Sequence, residues 1–462
     1  MGAASPENGL GRAGAGAGSR RRRLARTLWR VNGLAVVTFA VVTMARPLFS
    51  VYAARELGAN PTWLGVIASS FAVVPLFLSL PVGGLINRWG ERPLLVAGAA
   101  GLALGLGLAA ASDTVAVLAA AALVTGLSQM LLVVCTQTLV TALGDPRERE
   151  HHLGLFTTAT SAGQLIGPLG GGLLADAAGV RGAFVTGAAV ALAGTFLARS
   201  IETPPVPGKA LSLRGQLGQA RRLMRLPAMR LAILTAFSLV FTLGVHQSFY
   251  PVYVTRVLGL STTTLGFLLA VRAVFALAVR LYMRPLIDIT GSRYRVLLAA
   301  LLAGALALGA TPLLHHPLSL AAAAALLGVS TGLTMPLSML AAANAVPVTQ
   351  RGVALGVRLT GNRLAELTSP LLFGPLAEVV GLAPAFYVAG ALLLAAAVGS
   401  LAWREGLEEG EDTPAHAGGG KEATGPGGRA CEDAAGRAAA PEDGRSRSVA
   451  PDAAGGGSRP AH

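Results

Sequence analysis

Eight polar or charged side chains lie inside long apolar stretches of the sequence, where such residues are costly unless they are paired or hydrated. They are Arg46, His246, Gln247, Arg272, Arg358, Asn362, Arg363 and Glu366. The four arginines can bind negatively charged groups or strong hydrogen-bond acceptors, and they do not release a proton at ordinary pH. We therefore predict that Arg46, His246, Gln247, Arg272, Arg358, Asn362 and Arg363 contact a small-molecule substrate.

Two of these residues are candidates for carrying a proton. Glu366 is the only carboxylate near the middle of an apolar stretch, and His246 is the second candidate. On a helix, Arg363 and Glu366 are three residues apart and can reach each other, so the alternative is an internal ion pair that fixes helix packing. Arg46 and Arg272 have no acidic residue nearby in the sequence, which favours a binding role.

Three other charged residues lie at the ends of the apolar stretches. Asp176 and Glu378 lie near the predicted outer ends, where we expect them to be solvated. Arg280 lies near a predicted inner end, and its long side chain can extend to the membrane surface.

The composition is that of a membrane protein. Of 462 residues, 53% are hydrophobic and only 13% are charged, whereas about a quarter of the residues of a soluble domain are charged. The net charge of +14 comes mainly from arginines in loops and tails, which indicates membrane orientation rather than a nucleic-acid partner. Cys135 lies in an apolar segment and Cys431 in a polar tail, and the two show no metal-ligand spacing. We therefore expect no disulfide, no metal and no cofactor.

Apolar segments of about 20 residues follow one another along most of the chain, and each can span a bilayer. Twelve spans are predicted, near 30–54, 62–86, 93–112, 114–142, 152–175, 182–200, 230–254, 263–285, 295–314, 317–342, 352–379 and 383–403. The predicted organisation is a disordered basic tail (1–29), a six-helix bundle (30–200), a cytoplasmic linker (201–229), a second six-helix bundle (230–403) and a disordered tail (404–462).

The distribution of arginines predicts the orientation of the chain. The N-terminal tail, the central linker and the loops around Arg88, Arg147, Arg293 and Arg351 all fall on one side of the predicted membrane. Cytoplasmic loops are enriched in arginine and lysine, so both termini are expected in the cytoplasm of a cell-membrane protein. The Arg20–Arg23 run precedes an apolar stretch too long for a signal peptide, so we expect it to anchor the first span.

The two halves of the chain are copies of each other. Val51, Tyr52, Arg55, Leu57, Gly58, Gly65, Gly90 and Arg92 recur 201 residues later as Val252, Tyr253, Arg256, Leu258, Gly259, Gly266, Gly291 and Arg293. Gly154, Pro168, Gly172, Gly179 and Phe184 recur 202 residues later as Gly356, Pro370, Gly374, Gly381 and Phe386. Two parallel repeats imply a pseudo-two-fold axis along the membrane normal, with a site between the halves.

The fifth predicted span contains a run of regularly spaced glycines. Gly163, Gly167 and Gly171 line one helix face, where a neighbouring helix can approach closely, and Pro168 bends the helix locally. A packing helix of small residues is the alternative interpretation. The string Gly163 to Gly172 also resembles the GxxxGPxxGG motif in the fifth helix of major facilitator superfamily transporters, especially drug and metabolite antiporters, and Gly172 completes that motif.

A second motif follows the second predicted span. Residues 83–92 resemble the GxLaDRxGRR loop of the same superfamily at Gly83, Arg88, Gly90 and Arg92, although Asn87 stands where the family has aspartate. The second copy keeps the acid as Asp288, followed by Gly291 and Arg293. The resemblance implies that these residues set the balance between conformations. The drug exporters often carry an arginine four residues before a glycine in the fourth span, but here Ala122 precedes Gly126.

The resemblance covers about residues 30–403 and implies an all-α fold of twelve transmembrane helices in two bundles that alternate access to a central site. It favours proton-coupled export of a drug or metabolite by a monomer, with substrate, protons and lipid as partners. Uptake of an anionic metabolite is the main alternative, since the arginines would suit it. A sensor or scaffold ranks lower, and an enzyme is not expected.

Overall fold

The computed structural model describes residues 7–78, 82–143, 148–203, 218, 221–347 and 350–408, and these residues form helices and connecting turns without a β-strand. The first half contains α1 (Glu7–Arg55), α2 (Pro61–Leu78), α3 (Val82–Trp89), α4 (Glu91–Ala110), α5 (Val115–Ala142) and α6 (Arg149–Arg199). α1 begins well before the predicted first span and so includes most of the residues that were expected to form a disordered tail. Extending an existing helix requires no new nucleation, and the arginines at 20–23 favour helix, whereas the five glycines between residues 7 and 19 oppose it.

The second half repeats this succession of helices. It contains α7 (Pro227–Ser248), α8 (Thr262–Leu281), α9 (Met283–Thr290), α10 (Arg293–Ala310), α11 (Pro317–Asn344), α12 (Arg351–Val380) and α13 (Leu382–Ser400). α7 continues through Tyr250–Val252 into a π-helical turn at Tyr253–Val257. Short turns at Leu401–Trp403 and Glu405–Glu408 follow α13, and the rest of the predicted C-terminal tail lies outside the described residues.

Among the described residues, ten helices are long and apolar enough to cross a membrane. One of them is α6, which contains two predicted spans and changes direction at Gly179 (φ 75°, ψ 166°), a conformation that favours glycine. α12 has 30 residues but is not among the ten, because Arg358, Arg363 and Glu366 interrupt its apolar sequence. Counting α6 twice and adding α12 gives the twelve predicted spans, so the predicted polytopic all-α fold is confirmed.

The internal repeat is visible as matching tertiary contacts. The Tyr52 hydroxyl donates to the carbonyl of Ser112 at 2.7 Å, and the Tyr253 hydroxyl donates to the carbonyl of Pro312 at 3.2 Å. Each tyrosine ring also packs on a phenylalanine, with centroids 5.8 Å apart for Tyr52–Phe184 and 5.4 Å apart for Tyr253–Phe386. The constant offset in sequence therefore corresponds to equivalent packing in both halves.

Glycine positions allow α6 to pack closely on α1. A Cβ atom added at Gly163 would lie 2.7 Å from the carbonyl oxygen of Val36, and one added at Gly167 would overlap the backbone of Ala40. Gly171 faces Met44 in the same way. The predicted glycine face is thus a helix-packing surface, and its partner is the first helix of the same half.

Each half also packs closely on a helix of the other half. Pro370 of α12 lies against Gly65 of α2, and Pro168 of α6 lies against Gly266 of α8. In both places the carbonyl oxygen of the proline occupies space that a Cβ atom would need. The two contacts are equivalent under the repeat, so one small residue in each half allows the other half to approach.

The loop motif forms a tight turn in both copies. Gly90 (φ 77°) and Gly291 (φ 65°) have left-handed backbone conformations, as the predicted glycine turns require. Arg92 donates to the carbonyl of Arg199 at 2.6 Å and so ties the first loop to the end of α6. Arg88 and Asp288 are exposed, and the side chain of Asn87 lies outside the described part of the chain, so the conformational roles of Gly83, Asn87, Arg88, Asp288 and Arg293 stay predictions.

Candidate functional site

Two cavities lie between the halves and share part of their lining. The larger has a volume of about 300 Å³ and the smaller of about 40 Å³, and both are lined by Arg46 of α1 and Gln247 of α7. The larger cavity also contacts α5, α6, α8 and α11, while the smaller also contacts α2 and α12. The site therefore lies where the repeat predicts it, between the two halves.

Arg46 is held in place by both halves. Its guanidinium group donates to Oε1 of Gln129 at 2.9 Å and to Oε1 of Gln247 at 3.1 Å. It also lies 5.2 Å from the centre of the Phe71 ring, within the range of a cation–π interaction. None of these contacts neutralises its charge, so Arg46 is a fixed positive group in the wall shared by the two cavities.

His246 and Arg272 line the larger cavity and have no hydrogen-bond partner among the described residues. His246 is only 3% exposed, and its ring stacks on Tyr250 with centroids 4.3 Å apart. Arg272 lies close enough to interact electrostatically with both His246 and Tyr250. The sequence predicted a substrate contact for both residues, and the structure brings them to the same cavity.

The larger cavity continues toward the end of α8. Leu269, Arg272, Ala273, Ala276 and Arg280 of this helix all line it, at a spacing that keeps them on one face. Arg280 is exposed, as predicted for a residue near the inner end of a span. The cavity thus has a basic wall that extends from Arg272 toward the predicted cytoplasmic end.

Glu366 lines the smaller cavity, together with Arg46 and Gln247. Its carboxylate accepts a hydrogen bond from Arg363 at 2.7 Å, and the two side chains are about one-third exposed, at 30% and 34%. The predicted contact between Arg363 and Glu366 is therefore present. Glu366 is the one carboxylate among the described residues that line either cavity.

Three predicted site residues lie outside the lining of both cavities. Arg358 is buried and donates to the Ser338 hydroxyl at 2.9 Å and to the carbonyl of Met335 at 3.1 Å, which joins α12 to α11. Asn362 has a buried side-chain oxygen without a described partner, and Arg363 pairs with Glu366. Substrate contact by Arg358, Asn362 and Arg363 stays a prediction, and for Arg358 the geometry is that of a packing residue.

Several lining residues carried no charge and were not selected from the sequence. Gln129 and Gln164 supply amide groups to the larger cavity, and Phe49 and Phe71 supply aromatic surface to the smaller one. Gln129 and Gln164 could have been identified from the sequence, because each is an amide side chain inside an apolar span. Phe71 offered no signal, since an aromatic residue in a span is ordinary.

At the predicted outer end of the molecule, four residues form hydrogen bonds between the halves. Asp176 accepts hydrogen bonds from the backbone N–H groups of Thr262 (3.1 Å) and Thr263 (2.8 Å), and from the Thr262 hydroxyl. Glu378 accepts from Asn60 at 2.9 Å and from the Thr62 hydroxyl. As expected, Asp176 and Glu378 are exposed, and each also binds the start of a helix in the other half.

Two arginines complete this closure. Arg55 donates to the carbonyl of Thr255 at 2.6 Å, and Arg256 donates to the carbonyl of Ala54 at 3.2 Å. Arg55 and Arg256 are repeat-equivalent, as are Asp176 and Glu378, so each half provides one arginine and one acid. We refer to Arg55, Asp176, Arg256 and Glu378 as the outer clasp.

Comparison with known proteins agrees with this architecture. Residues 31–261 and residues 232–438 each match the family model described as Major Facilitator Superfamily. The two matches start 201 residues apart, the separation that also relates Arg46 to Gln247. Together they cover most of the chain.

Curated relatives match over shorter regions. Multidrug resistance protein 1 of Bacillus subtilis is 22% identical over 215 residues, which is 46% of this chain and 55% of that protein. The class C tetracycline resistance protein of Escherichia coli is 27% identical over 110 residues, which is 24% of this chain and 28% of that protein. The matches thus span less than two thirds of either relative.

The fold is also found among solved structures. A crystal structure of a mutant of the nucleoside transporter NupG superposes with a TM-score of 0.71, covering 82% of this chain and 99% of that one. The sequence identity is 14%, so this similarity concerns the fold alone.

Proposed function

The chain belongs to the Major Facilitator Superfamily, and on this premise we propose that it is a secondary active transporter that exports a small organic molecule in exchange for protons. One observation carries the proposal: a cavity of about 300 Å³ between the halves is lined by both of them. The contacts between the halves at the predicted outer end are hydrogen bonds and close backbone packing, which can separate and re-form. We place the protein in the cell membrane as a monomer, with both termini cytoplasmic.

Alternating access is the transport mechanism that this arrangement favours. The bundles at 30–200 and 230–403 would rock about the shared site, opening the outer clasp as the inner end closes. Arg46 contacts Gln129 in its own half and Gln247 in the other half, so the rocking motion must rearrange its surroundings. Binding at the site and opening of the clasp are thereby linked.

Proton coupling rests on Glu366. Arginine keeps its proton at ordinary pH, and Glu366 is the carboxylate that lines the described site. The charged carboxylate of Glu366 pairs with Arg363, and protonation of Glu366 would weaken this ion pair. His246 is the alternative carrier, since it is buried beside the larger cavity.

The direction of transport is inferred from relatives and from one motif. The matching proteins of B. subtilis and E. coli are named for resistance to drugs, which export produces. The glycine motif of α6 resembles that of antiporters, and its glycines here form the contact with α1. Both points favour export.

Uptake of an anionic metabolite with protons is the second candidate. It is favoured by the three arginines that line the larger cavity, Arg46, Arg272 and Arg280. A basic cavity between the halves would serve either direction, and a transport assay separates the two candidates.

Accumulation of a panel of dyes and antibiotics in cells that overproduce the protein tests the proposal. Cells with an empty vector are the control, and each measurement is repeated with a protonophore. We expect lower accumulation of at least one compound, restored by the protonophore. Unchanged accumulation of the whole panel, together with protonophore-sensitive uptake of radiolabelled organic acids, would overturn export in favour of uptake.

A further inference from the structure

The larger cavity is lined by positive charge. Arg46, Arg272 and Arg280 line it, and none of the described residues in its lining is an aspartate or glutamate. Glu366 lines the smaller cavity, binds Arg363 and is close enough to interact electrostatically with Arg46, whereas no carboxylate among the described residues interacts with Arg272. The Nε atom of Arg272 is buried, and a buried charge is costly unless it is paired, so an anion bound beside Arg272 would be stabilised there.

The three arginines are not equally available to a ligand. Arg46 is bound by two amide oxygens and a phenylalanine ring. Arg272 has no described hydrogen-bond partner, although buried polar groups in proteins nearly always have one. His246, beside it, is equally without a partner, and its ring is fixed by stacking on Tyr250. Arg272 and His246 are therefore neighbouring groups of this cavity without a described hydrogen-bond partner, and the Nε atom of Arg46 is a third buried donor without one.

The remaining lining indicates what else the ligand carries. Phe39, Val42, Leu243, Leu269 and Met335 provide apolar surface in the same cavity, opposite or beside the basic wall. A small inorganic anion would leave this surface without a partner. An organic anion with an apolar body would pair with Arg272 and also cover the apolar wall.

We propose that Arg272 and His246 form an anion subsite, and that the cargo is an organic anion whose charged group binds there while its apolar body lies against α1, α7 and α11. The inference rests on the proposed transport function but not on its direction or coupling ion. Small side chains at Ala273 and Ala276 line the cavity between Arg272 and Arg280, which would leave a path from the predicted cytoplasmic end to the subsite.

Binding to the purified full-length chain in detergent tests this assignment. The probes form two matched series, each with a carboxylate, an amide and an amine on the same ring. One series is benzoate, benzamide and benzylamine, and the other is 2-naphthoate, 2-naphthamide and 2-naphthylmethylamine. Sodium chloride tests whether a small inorganic anion has the same effect. The measurement is the shift in Tm at equal probe concentrations. We expect at least one carboxylate to raise Tm by about 2 °C or more, and its amide and amine to have less effect.

Variants show whether the effect arises at the subsite. Arg272→Gln should abolish the shift, Arg272→Lys should keep part of it, and Arg225→Gln, an exposed position in the linker, should leave it unchanged. Arg272→Gln should not lower Tm without probe, because it removes a charge without a partner. Lower Tm without probe would indicate a packing role instead.

Three results would overturn the assignment: a larger shift with the amides or amines, an equal shift with chloride, or no shift with either carboxylate. Failure of the transport proposal looks different. The protein could bind carboxylates through Arg272 while cells show no protonophore-sensitive export, or it could export dyes while preferring the amines. The first outcome refutes export and the second refutes the anion subsite.

Discussion

Asp176 and Thr262 join the two halves of the molecule at the predicted outer end. The carboxylate of Asp176, just before the change of direction of α6 at Gly179, accepts hydrogen bonds from the backbone and the hydroxyl group at the start of α8. Negative charge is favourable at a helix N-terminus, where unpaired N–H groups and the helix dipole both attract it. The hydroxyl contact recurs between Glu378 and Thr62, and Glu378 also accepts from the side chain of Asn60, so two acids join the halves at this end.

Removal of these acids should open the outer end. Hydrogen bonds to charged groups contribute about 1.5–3 kcal/mol each, so Asp176→Ala with Glu378→Ala should increase the outward-open population roughly tenfold or more. The measurement is labelling of a Ser50→Cys reporter, which lines the smaller cavity, by an impermeant maleimide added outside intact cells. The two native cysteines, Cys135 and Cys431, are replaced first, so that the reporter is the only thiol in the chain.

The matched control for the outer clasp is Asp113→Ala. Asp113 is an exposed acid near the same end, but it pairs with Arg181 of its own half at 2.6 Å. Its replacement should leave the labelling rate unchanged. Equal labelling of the clasp variant and the parent would show that Asp176 and Glu378 do not hold the outer end closed.

Glu366→Gln should separate proton coupling from ion pairing. A proton carrier that cannot ionise should lose transport driven by a pH gradient, while exchange of labelled for unlabelled cargo across vesicles continues. The control is Glu148→Gln, an exposed acid outside both cavities. If Glu366→Gln retains gradient-driven transport, the pair with Arg363 serves packing, and His246 becomes the candidate carrier.

Arg358→Ala should destabilise the protein more than Arg272→Gln. Arg358 is 6% exposed and bonds to Ser338 and Met335, so its removal leaves a cavity and loses charged hydrogen bonds worth about 1.5–3 kcal/mol each. Thermal melts of both variants in the same detergent provide the comparison. A melting temperature for Arg358→Ala equal to that of the parent would contradict the packing role and restore Arg358 as a candidate for substrate contact.

Gly167→Ala should impair folding or transport, whereas Gly170→Ala should be tolerated. A Cβ atom at Gly167 would overlap the backbone of Ala40 in α1, while nothing lies within 4 Å of one at Gly170. The two substitutions are chemically identical and three residues apart on the same helix. Size-exclusion profiles and transport rates of the two variants test this, and equal behaviour would mean that α1 and α6 can separate without cost.

Much of the fold could be predicted from the sequence because its signals are local or periodic. Span length, glycine turns at Gly90 and Gly291 and the constant repeat offset depend on backbone geometry and hydrophobicity. The same holds for the pair Arg363–Glu366, which one helical turn brings together. These features required no knowledge of tertiary structure.

The rest of the site depended on which helices meet. Gln129 could be recognised as a partner of Arg46 only after α5 was placed beside α1. Asp176 is exposed, as expected, but its hydrogen bond to the start of α8 could not be predicted, because the sequence does not show that this helix lies against it. Arg358 was grouped with the binding residues by its charge, whereas the contact with Ser338 depends on the packing of α12 against α11.

The hydrogen bond between Arg46 and Gln247 joins two positions that are equivalent in the repeat, since they are 201 residues apart. Two identical six-helix chains related by a true two-fold axis would place arginine against arginine or glutamine against glutamine there. Copies that have diverged from each other can put a cation on one side and its acceptor on the other. The bond therefore marks a loss of symmetry between the two halves. One half contributes a positive charge to the cavity wall and the other contributes an uncharged acceptor, which a symmetric dimer could not do.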